Sequence, residues 1–487
     1  MRALILPVVL AVSACSLTPA FVRPAAPVPM TYTTGAAPDV RTNAADLGWR
    51  TMFGDRRLQR LIELALESNR DLRLAALNVE AAAAQYGIQR AAQLPSADAA
   101  GGFTRQRIAP NAETDPPIAA MTQKQYGVNV GISAFEIDLF GRVRSLSDAA
   151  FARYLESDDG RRAAQIALVG AVADAYFAER LAQEQRELAE HTLADWRESL
   201  DLARRLRNAH QASSVDVAGA EGQVASAEAD LEARARMVEQ AGNALWLLIG
   251  ADFPKDLPEP TPLAQQPVMT RLPAGLPSDL LFRRPDILQA EQNLIAANAD
   301  IGAARAAFFP RLSLTSSLGF ISPAMSGLFD GDHRAWTFAP QVTVPLFQGG
   351  RLRAEFRLAE VRKTSAVAGY ERAVQIAFRE VADGLAGRDT FHRQIEAQAR
   401  VVASAERRTD LSSLRYRAGV DGRLELLDSQ RQLYASRQVL LDLRRAEFGN
   451  AVALYKALGG GLTETDVRPP GTAPELSLVA PDQLARS

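Results

Sequence analysis

Residues 71–95 read DLRLAALNVEAAAAQYGIQRAAQLP, and residues 286–310 read DILQAEQNLIAANADIGAARAAFFP. Matching residues keep one spacing: Asp71, Asn78, Gly87, Arg90, Ala91, Ala92 and Pro95 each recur 215 positions later. Two further groups recur 209 positions later, namely Gly141, Arg142 and Arg144, and Ala244, Leu245 and Gly250. An ordered series of matches across both halves of a chain indicates a structural duplication. We therefore expect two similar halves built from the same elements.

Each half contains one long segment that is suited to a helix. The 26 prolines avoid residues 118–253 and 346–468, and a proline inside a helix costs about 3 kcal/mol. Apolar residues in these segments recur every three or four positions, which is the spacing of a helix that packs on neighbours. The uninterrupted runs 141–208 and 350–417 would each extend roughly 100 Å as helices. An ordinary globular domain does not need helices of that length.

Between these helices, apolar residues alternate with small or polar ones. The alternation is clear in residues 126–134, 312–320 and 336–346, and weaker in residues 96–107. Segments of about ten residues with period two have the length of transmembrane β-strands. A soluble hairpin with one solvated face gives the same pattern, so both interpretations remain open at this point.

The number of strands limits how they could enter a membrane. An open sheet of four strands would expose unpaired backbone groups to lipid, at several kcal/mol each. Closed barrels need at least about eight strands, so several copies of the chain would have to share one barrel. Three copies supply twelve strands, an even antiparallel number with room for a lumen. The loops 108–124 and 321–333 would then face the cell exterior, and the long helices would lie in the periplasm.

The N-terminus predicts export and lipid attachment. An apolar stretch from Ala3 to Ala14 follows Arg2 and is too short to span a bilayer, so it fits a secretory signal. It ends at Cys15, the only cysteine of the chain, in a setting that resembles the bacterial lipoprotein box. The mature chain would then begin at a lipidated Cys15, and Ser16, which is not Asp, favours the outer membrane.

Composition argues against several other functions. A net charge of −2 disfavours a nucleic-acid partner, and no stretch after the signal has the eighteen apolar residues of a transmembrane helix. The four histidines, His191, His210, His333 and His392, lack metal-ligand spacing, and no phosphate loop or nucleophile elbow is present. We expect no enzyme activity and no cofactor apart from the covalent lipid on Cys15.

Several motifs together resemble one protein family. They are Leu47–Arg50 (LGWR), Ile137–Arg142 (IDLFGR), Gly275–Ile287 (GLPSDLLFRRPDI), Ile301–Pro310 (IGAARAAFFP), Arg415–Asp428 (RYRAGVDGRLELLD) and Leu454–Gly461 (LYKALGGG). The chain resembles the TolC-like outer-membrane efflux factors of the OprM/NodT lipoprotein branch. The resemblance implies an α+β membrane protein, in which three protomers form a 12-stranded transmembrane β-barrel that continues into a long periplasmic α-helical barrel. It also implies two partners, a periplasmic adaptor protein and an inner-membrane pump of the resistance–nodulation–division type.

The same resemblance suggests where such a duct would be gated. Residues 417–424 join two helices, and we expect Gly419 and Gly422 to take the positive φ that a reversal needs. The family constriction falls on Leu424 and Asp428, with Asp421 as a further candidate. Three carboxylates in a ring attract cations, and three leucines gate a narrow neck by dewetting. The alternative for each of these residues is a solvated position at a helix end.

The corresponding turn of the first half, residues 206–217, contains no glycine, and Asn208 is the residue expected there in the left-handed conformation. Both turns are candidate adaptor contacts by resemblance. The predicted segments are a signal peptide (1–14), a lipid-anchored leader (15–45), a first repeat (46–257, hairpin 96–135), a linker (258–275), a second repeat (276–462, hairpin 311–346) and an irregular tail (463–487).

The function predicted from the sequence is a passive, gated outer-membrane channel that exports small molecules in a tripartite efflux system. Three other hypotheses are a channel for type I protein secretion, a non-conducting trimeric lipoprotein that acts as a spacer, and a lipid-tethered periplasmic enzyme. No catalytic cluster supports the enzyme.

Overall fold

A computed structural model describes residues 17–29, 46–110, 120–272 and 280–462 of the chain. The predicted signal peptide, Cys15, most of the leader and the tail 463–487 lie outside these residues. The chain divides into two compact units, and the first contains Leu74–Arg161, Pro285–Gln375 and the N-terminal segment up to Val28. The second contains Pro29–Arg73, Arg162–Arg284 and the chain from Ile376 onward. We call them the sheet unit and the turn unit, after the elements described below.

The sheet unit holds four antiparallel strands in the order β1-β2-β3-β4. Their bounds are β1 Ala97–Ile108, β2 Met121–Ile137, β3 Arg311–Ser322 and β4 Arg334–Thr343. Strand β4 ends at Thr343, before the predicted hairpin does at residue 346, and Thr343 pairs with Arg311, the first residue of β3. Among the described strands, β1 and β4 each have one edge without a partner strand.

Close approach and a bulge shape the centre of this sheet. Strand β2 passes so near Gly319 that a Cβ atom there would lie 2.1 Å from the carbonyl oxygen of Val128, so only glycine fits. The β2–β3 register shifts between Ile132 and Phe135, and Ala134 has a φ of 49° at this bulge. Bulges of this kind bend a strand and increase its twist.

Helices make up most of the rest of the described chain. Their bounds are α1 Trp49–Met52, α2 Arg56–Ser68, α3 Arg70–Ala91, α4 Arg142–Asn208, α5 Ser214–Ile249, α6 Leu280–Arg283, α7 Pro285–Ala306, α8 Arg351–Arg417 and α9 Arg423–Ala457. None of the helices within the described ranges is both long and apolar enough to cross a membrane. The expected combination of long helices with four antiparallel strands is confirmed.

The duplication predicted from the sequence reappears in the lengths of the elements. Helices α4 and α8 each contain 67 residues, and α3 and α7 each contain 22. Strands β1 and β3 each contain 12 residues. Because even the helix ends correspond at the sequence offsets, the two halves are copies of one structural unit.

The described part of the N-terminal segment lies along α7 in the sheet unit. Arg23 donates two hydrogen bonds to the buried Glu291 carboxylate, at 2.8 and 3.0 Å. The Asn298 side chain donates to the carbonyl oxygen of Pro19 at 2.8 Å. Burying a carboxylate is unfavourable unless it is paired and hydrogen-bonded, so the Arg23 contact fixes this segment on α7.

The turn unit has its core around the start of α2. The buried carboxylate of Asp55 caps α2 by accepting from the N–H groups of Arg57 and Leu58. It also accepts from the Tyr176 hydroxyl at 2.7 Å and from the Gln266 amide at 3.0 Å. Burial and, secondly, the bond to Asp55 raise the pKa of Tyr176, so its proton stays in place as a donor. The hydrogen bonds of Asp55 thus join three distant parts of the chain.

Candidate gate at the helix turns

The turn between α8 and α9 is closed by one left-handed glycine. Gly419 has a φ of 71°, and the N–H groups of Gly419 and Val420 donate to the carbonyls of Tyr416 and Arg415, each at 3.0 Å. This is the Schellman pattern of hydrogen bonds at a helix C-terminus. The expectation for Gly422 is wrong, because its φ is −70° and its ψ is 160°. Gly422 takes the extended backbone of an N-cap, which needs no positive φ.

The turn between α4 and α5 has the same geometry without a glycine. His210, with a φ of 59°, is its left-handed residue, whereas the expected Asn208 is the last residue of α4. The N–H groups of His210 and Gln211 donate to the carbonyls of Arg207 and Leu206 at 2.9 and 2.8 Å, as Gly419 and Val420 do in the other half. A left-handed conformation costs a residue with a side chain roughly 1–2 kcal/mol.

A capping box at the start of α5 stabilises this first turn. The N–H of Asp216 donates to the Ser213 hydroxyl at 3.1 Å, and the Asp216 carboxylate accepts from the N–H of Ser213 at 2.9 Å. These bonds to Ser213 lower the pKa of Asp216. The S-x-x-D spacing of Ser213 and Asp216 in the sequence is typical of a capping box.

The two predicted constriction residues lie on one face at the start of α9. Leu424 is 80% exposed and lies in the first turn of the helix. Asp428 follows four residues later, which places it one turn further along the same face. Two exposed residues at this spacing present an apolar group and a carboxylate to whatever faces α9.

An arginine from α8 binds the carboxylates of this face. Arg408 donates to Asp428 at 2.8 Å and to Glu425 at 3.0 Å. The hydrogen bond to Glu425 and, next, the bond to Asp428 raise the pKa of Arg408, so the guanidinium remains charged. One cation against two carboxylates leaves a net charge of about −1 at this site. Asp428 is therefore partly neutralised within its own chain.

Asp421 has a different setting from Asp428. Its carboxylate accepts two hydrogen bonds from the Arg415 guanidinium, at 2.5 and 2.7 Å. The hydrogen bond with Arg415 lowers the pKa of Asp421. This bidentate pair spans the turn from the last part of α8, so its direct effect is on the geometry of the turn.

A series of polar contacts ties α9 to the helices of the first half within the turn unit. Arg423, which is buried, donates to the backbone carbonyl of Ser199 on α4 at 3.2 Å. Further along α9, the Tyr434 hydroxyl donates to Asp230 on α5. Burial and then the bond to Asp230 raise the pKa of Tyr434 to about 12, so the hydroxyl is a donor at neutral pH. Three more contacts continue the series: Arg431 with Gln223, Gln438 with Arg234, and Asp442 with Gln185.

The site holds no evident metal centre. Within the described ranges, no group of three or more His, Cys, Asp or Glu side chains is arranged to hold a metal ion. The contacts described at the turns are hydrogen bonds and ion pairs between helices.

Comparison with known proteins identifies the family. Residues 61–251 and 276–460 match the family described as "Outer membrane efflux protein". The chain belongs to this family. The family match covers both halves of the chain and both helix turns, as the duplication predicts.

Relatives of this efflux protein are similar over nearly their whole length. The toluene efflux pump outer membrane protein TtgC and the antibiotic efflux pump outer membrane protein ArpC, both from Pseudomonas putida, are each 44% identical over 455 residues. Those residues are 92% of this chain and 93% of each relative. Among solved structures, the open state of the Neisseria gonorrhoeae MtrE outer membrane channel is 40% identical, with a TM-score of 0.84. That similarity covers 92% of this chain and 99% of MtrE.

The family predicted from the sequence motifs is confirmed, and efflux across the outer membrane is the function that goes with it. The family is one of transport channels rather than enzymes. Of the predicted site residues in this efflux protein, Gly419, Asp421, Gly422, Leu424 and Asp428 lie around one turn, while Cys15 lies outside the described residues. The gating role of Leu424, Asp428 and Asp421 stays a prediction.

Sequence reasoning missed Arg408, Glu425 and Arg423. Arg408 lies nine positions before the end of α8 and Asp428 five positions after the start of α9. Arg408 could have been found, because a helical hairpin brings such positions near each other and the long arginine side chain covers the remaining distance. Arg423 gave no such signal, since its contact Ser199 lies 224 positions away.

Proposed function

We propose that the protein is the outer-membrane duct of a tripartite efflux system, assembled from three copies of the chain. The observation that carries the proposal is the open sheet of four strands, with β1 and β4 at its edges. A sheet with free edges is not stable in lipid, because its backbone groups would lack hydrogen-bond partners. Three copies would close twelve strands into one barrel around a lumen.

Small, largely apolar molecules are the proposed cargo. Relatives with 44% identity are named for toluene efflux and antibiotic efflux, which supports this class. A duct needs no binding site for its cargo, so selectivity would lie in an inner-membrane pump of the resistance–nodulation–division type. A periplasmic adaptor protein would connect that pump to the helix turns. The chain itself would carry out no chemistry, and Cys15 would bear a lipid that anchors it to the outer membrane.

The gate is proposed at the start of α9. Three copies of Leu424 would form an apolar ring, and three clusters of Arg408, Glu425 and Asp428 would surround it with net negative charge. Opening would move α9 away from α4 and α5 and would have to break the contacts of Arg423 and Tyr434. Adaptor binding would favour the open state only if the adaptor binds that state more tightly.

Single-channel conductance in planar bilayers tests this proposal. We expect a small, cation-preferring current from the wild-type protein and a larger current from Leu424→Ala and Asp428→Ala. Arg408→Gln should increase the preference for cations, since it removes the only positive charge of the cluster. Glu406→Ala is the matched control, because Glu406 forms a similar half-exposed ion pair with Arg437 between the same two helices.

The outcomes separate the hypotheses. A large current that none of the variants changes would keep the duct and reject the gate. A trimer without any current would favour the non-conducting spacer. Export of a folded or unfolded protein substrate, with no effect of the chain on resistance to small toxic compounds, would favour type I protein secretion.

A further inference from the structure

The two halves of the chain differ at one junction beside the sheet. In the centre of the sheet, β2 lies next to β3, and the chain segments that follow β2 and precede β3 meet there. Phe140, after β2, stacks on Phe309, before β3, with ring centroids 4.8 Å apart and an angle of 26° between the planes. We call this contact the inner junction. It joins the segment between β2 and α4 to the segment between α7 and β3.

The first half contains the counterpart of Phe309. At the offset of 215 positions, Phe309 corresponds to Leu94, which precedes β1. The backbone is the same at both places: the N–H of Leu94 donates to Ala91 at 3.0 Å, and the N–H of Phe309 donates to Ala306 at 3.1 Å. Leu94 and Phe309 are therefore equivalent in conformation as well as in sequence position.

The second half contains the counterpart of Phe140. Leu139-Phe140 precede Gly141-Arg142, and Leu346-Phe347 precede Gly350-Arg351 with two residues inserted. Gly141 and Gly350 have φ values of 74° and 86°. The helices that follow begin alike, since Ser145 donates to Gly141 at 2.9 Å and Ala354 donates to Gly350 at 3.1 Å. Phe347 follows the end of β4 by four residues, as Phe140 follows the end of β2 by three, so the two phenylalanines hold comparable positions after their strands.

Within one chain these two counterparts cannot meet in the same way. Strands β1 and β4 are at opposite edges of the sheet, so Leu94 and Phe347 are not neighbours. Both are exposed, at 70% and 88%, and Leu346 beside Phe347 is 92% exposed. Exposed large apolar side chains next to an unpaired strand edge are typical of a surface that another chain covers.

We propose that Phe347 of one copy packs on Leu94 of a second copy, reproducing the inner junction between chains. The occupant of this apolar surface is a second copy because the chain already contains the template: β2 beside β3 with Phe140 on Phe309. When β4 of one copy pairs with β1 of the next, the same arrangement places Phe347 beside Leu94. We call this contact between Phe347 of one copy and Leu94 of the next the outer junction. It rests on the proposed closed assembly, in which it would hold neighbouring copies together at the side of the sheet where the helices begin.

Cysteine cross-linking tests the outer junction. The full chain carrying Leu94→Cys and Phe347→Cys is purified from membranes and treated with a mild oxidant or a short bis-maleimide. We expect covalent dimers and trimers on denaturing, non-reducing gels. A disulfide requires Cβ atoms about 3.5–4.5 Å apart, and the bis-maleimide links thiols that lie further apart. Co-expression of the two single variants should give a covalent dimer, which proves that the link joins two chains.

Three controls belong to this experiment. Each single variant alone and the wild-type chain should give no covalent oligomer, which also reports on the thiol of Cys15. The pair Phe140→Cys and Phe309→Cys should form a link within one chain and leave the denatured mass that of a monomer. That pair shows whether the chemistry works at the template contact.

The possible results distinguish the outer junction from the assembly. If a trimer is found by native mass and the template pair reacts, but the Leu94–Phe347 pair does not, the outer junction is wrong and the proposed assembly stands. If only monomers are present, the proposed assembly fails and the outer junction fails with it. A second variant, Phe347→Ser, should lower the temperature at which the detergent-resistant oligomer dissociates, whereas Phe347→Leu should largely preserve it.

Discussion

At the scale of single residues, the two helix turns differ in one side chain. Gly419 takes the left-handed conformation freely, while His210 takes it with a side chain in place. We expect His210→Gly to stabilise the first turn by about 0.5–1 kcal/mol, since relief of strain exceeds the added flexibility of the unfolded chain. Amide hydrogen exchange at Gln211 should slow roughly two- to fivefold.

The reciprocal change provides the control. Gly419→Ala introduces into the second turn the strain that His210 carries in the first, and it should cost about 1–2 kcal/mol. Exchange at Val420, whose N–H closes that turn, should become faster. Equal exchange in wild type and both variants would show that strain at these positions does not limit opening of the turns.

The contributions of two carboxylates, Asp174 and Asp421, to the stability of the fold should change with pH in opposite directions. Burial raises the pKa of Asp174, against the opposing effect of Arg445 and Lys456. A carboxyl group with a raised pKa binds its proton more tightly in the folded state, so its contribution to stability falls as pH rises above about 4. Asp174→Asn should therefore raise the melting temperature at pH 7, and the gain should shrink towards pH 4.

The contribution of Asp421 to stability changes with pH in the opposite direction to that of Asp174. Because Arg415 lowers its pKa, its contribution to stability is present above the ordinary pKa of about 4 and is lost on acidification. Asp421→Asn should therefore weaken the turn at pH 7 and have little effect in strong acid. If Asp174→Asn raised the melting temperature equally at pH 4 and pH 7, the gain would come from repacking around residue 174 and not from removal of a buried charge.

At the scale of elements, the position of α9 depends on contacts between the two halves. Tyr434→Phe removes the bond to Asp230 on α5 and keeps the ring that packs edge-on against Trp196, at a centroid distance of 6.0 Å. We expect the variant to weaken the attachment of α9 by about 1 kcal/mol and to raise the open-channel current. Glu221→Ala is the matched control, because its partner Arg204 lies on α4 and the pair holds no part of α9.

The elements themselves were predictable from the sequence, but their contacts were not. Proline-free runs with helical periodicity placed α4 and α8 to within one residue of their ends. Alternation placed the strands, although β4 ends at Thr343, where its partner strand β3 begins. No local pattern selects His210 over Asn208 as the left-handed residue, because the hydrogen bonds of the turn decide which position takes that conformation. Contacts such as Arg423 with Ser199 join residues 224 positions apart, and only the fold brings them together.

At the scale of the whole molecule, the corresponding helices α3 and α7 are equal in length and unequal in burial. Helix α7 has many buried residues, partly because the N-terminal segment covers it through Arg23 and Asn298. Its counterpart α3 has none. Leu74, Leu77 and Ile88 of α3 are 58%, 47% and 63% exposed, and their spacing places them on one face of the helix. A duplicated chain that buries one copy of a helix and exposes the other is complete only when something covers the exposed face.

The exposed face of α3 gives a prediction about assembly. Leu77→Glu should abolish the proposed trimer while the helical circular dichroism of the monomer stays unchanged, because Leu77 is 47% exposed within one chain. Three copies of an unpaired carboxylate inside a contact between chains would each cost several kcal/mol. Leu77→Met, which keeps the volume and the apolar character, should assemble normally. If Leu77→Glu forms trimers as stable as the wild type, α3 faces solvent in the assembly, and its apolar face needs another explanation. If it loses its helical signal as well, Leu77 supports the fold of the single chain and not the contact between chains.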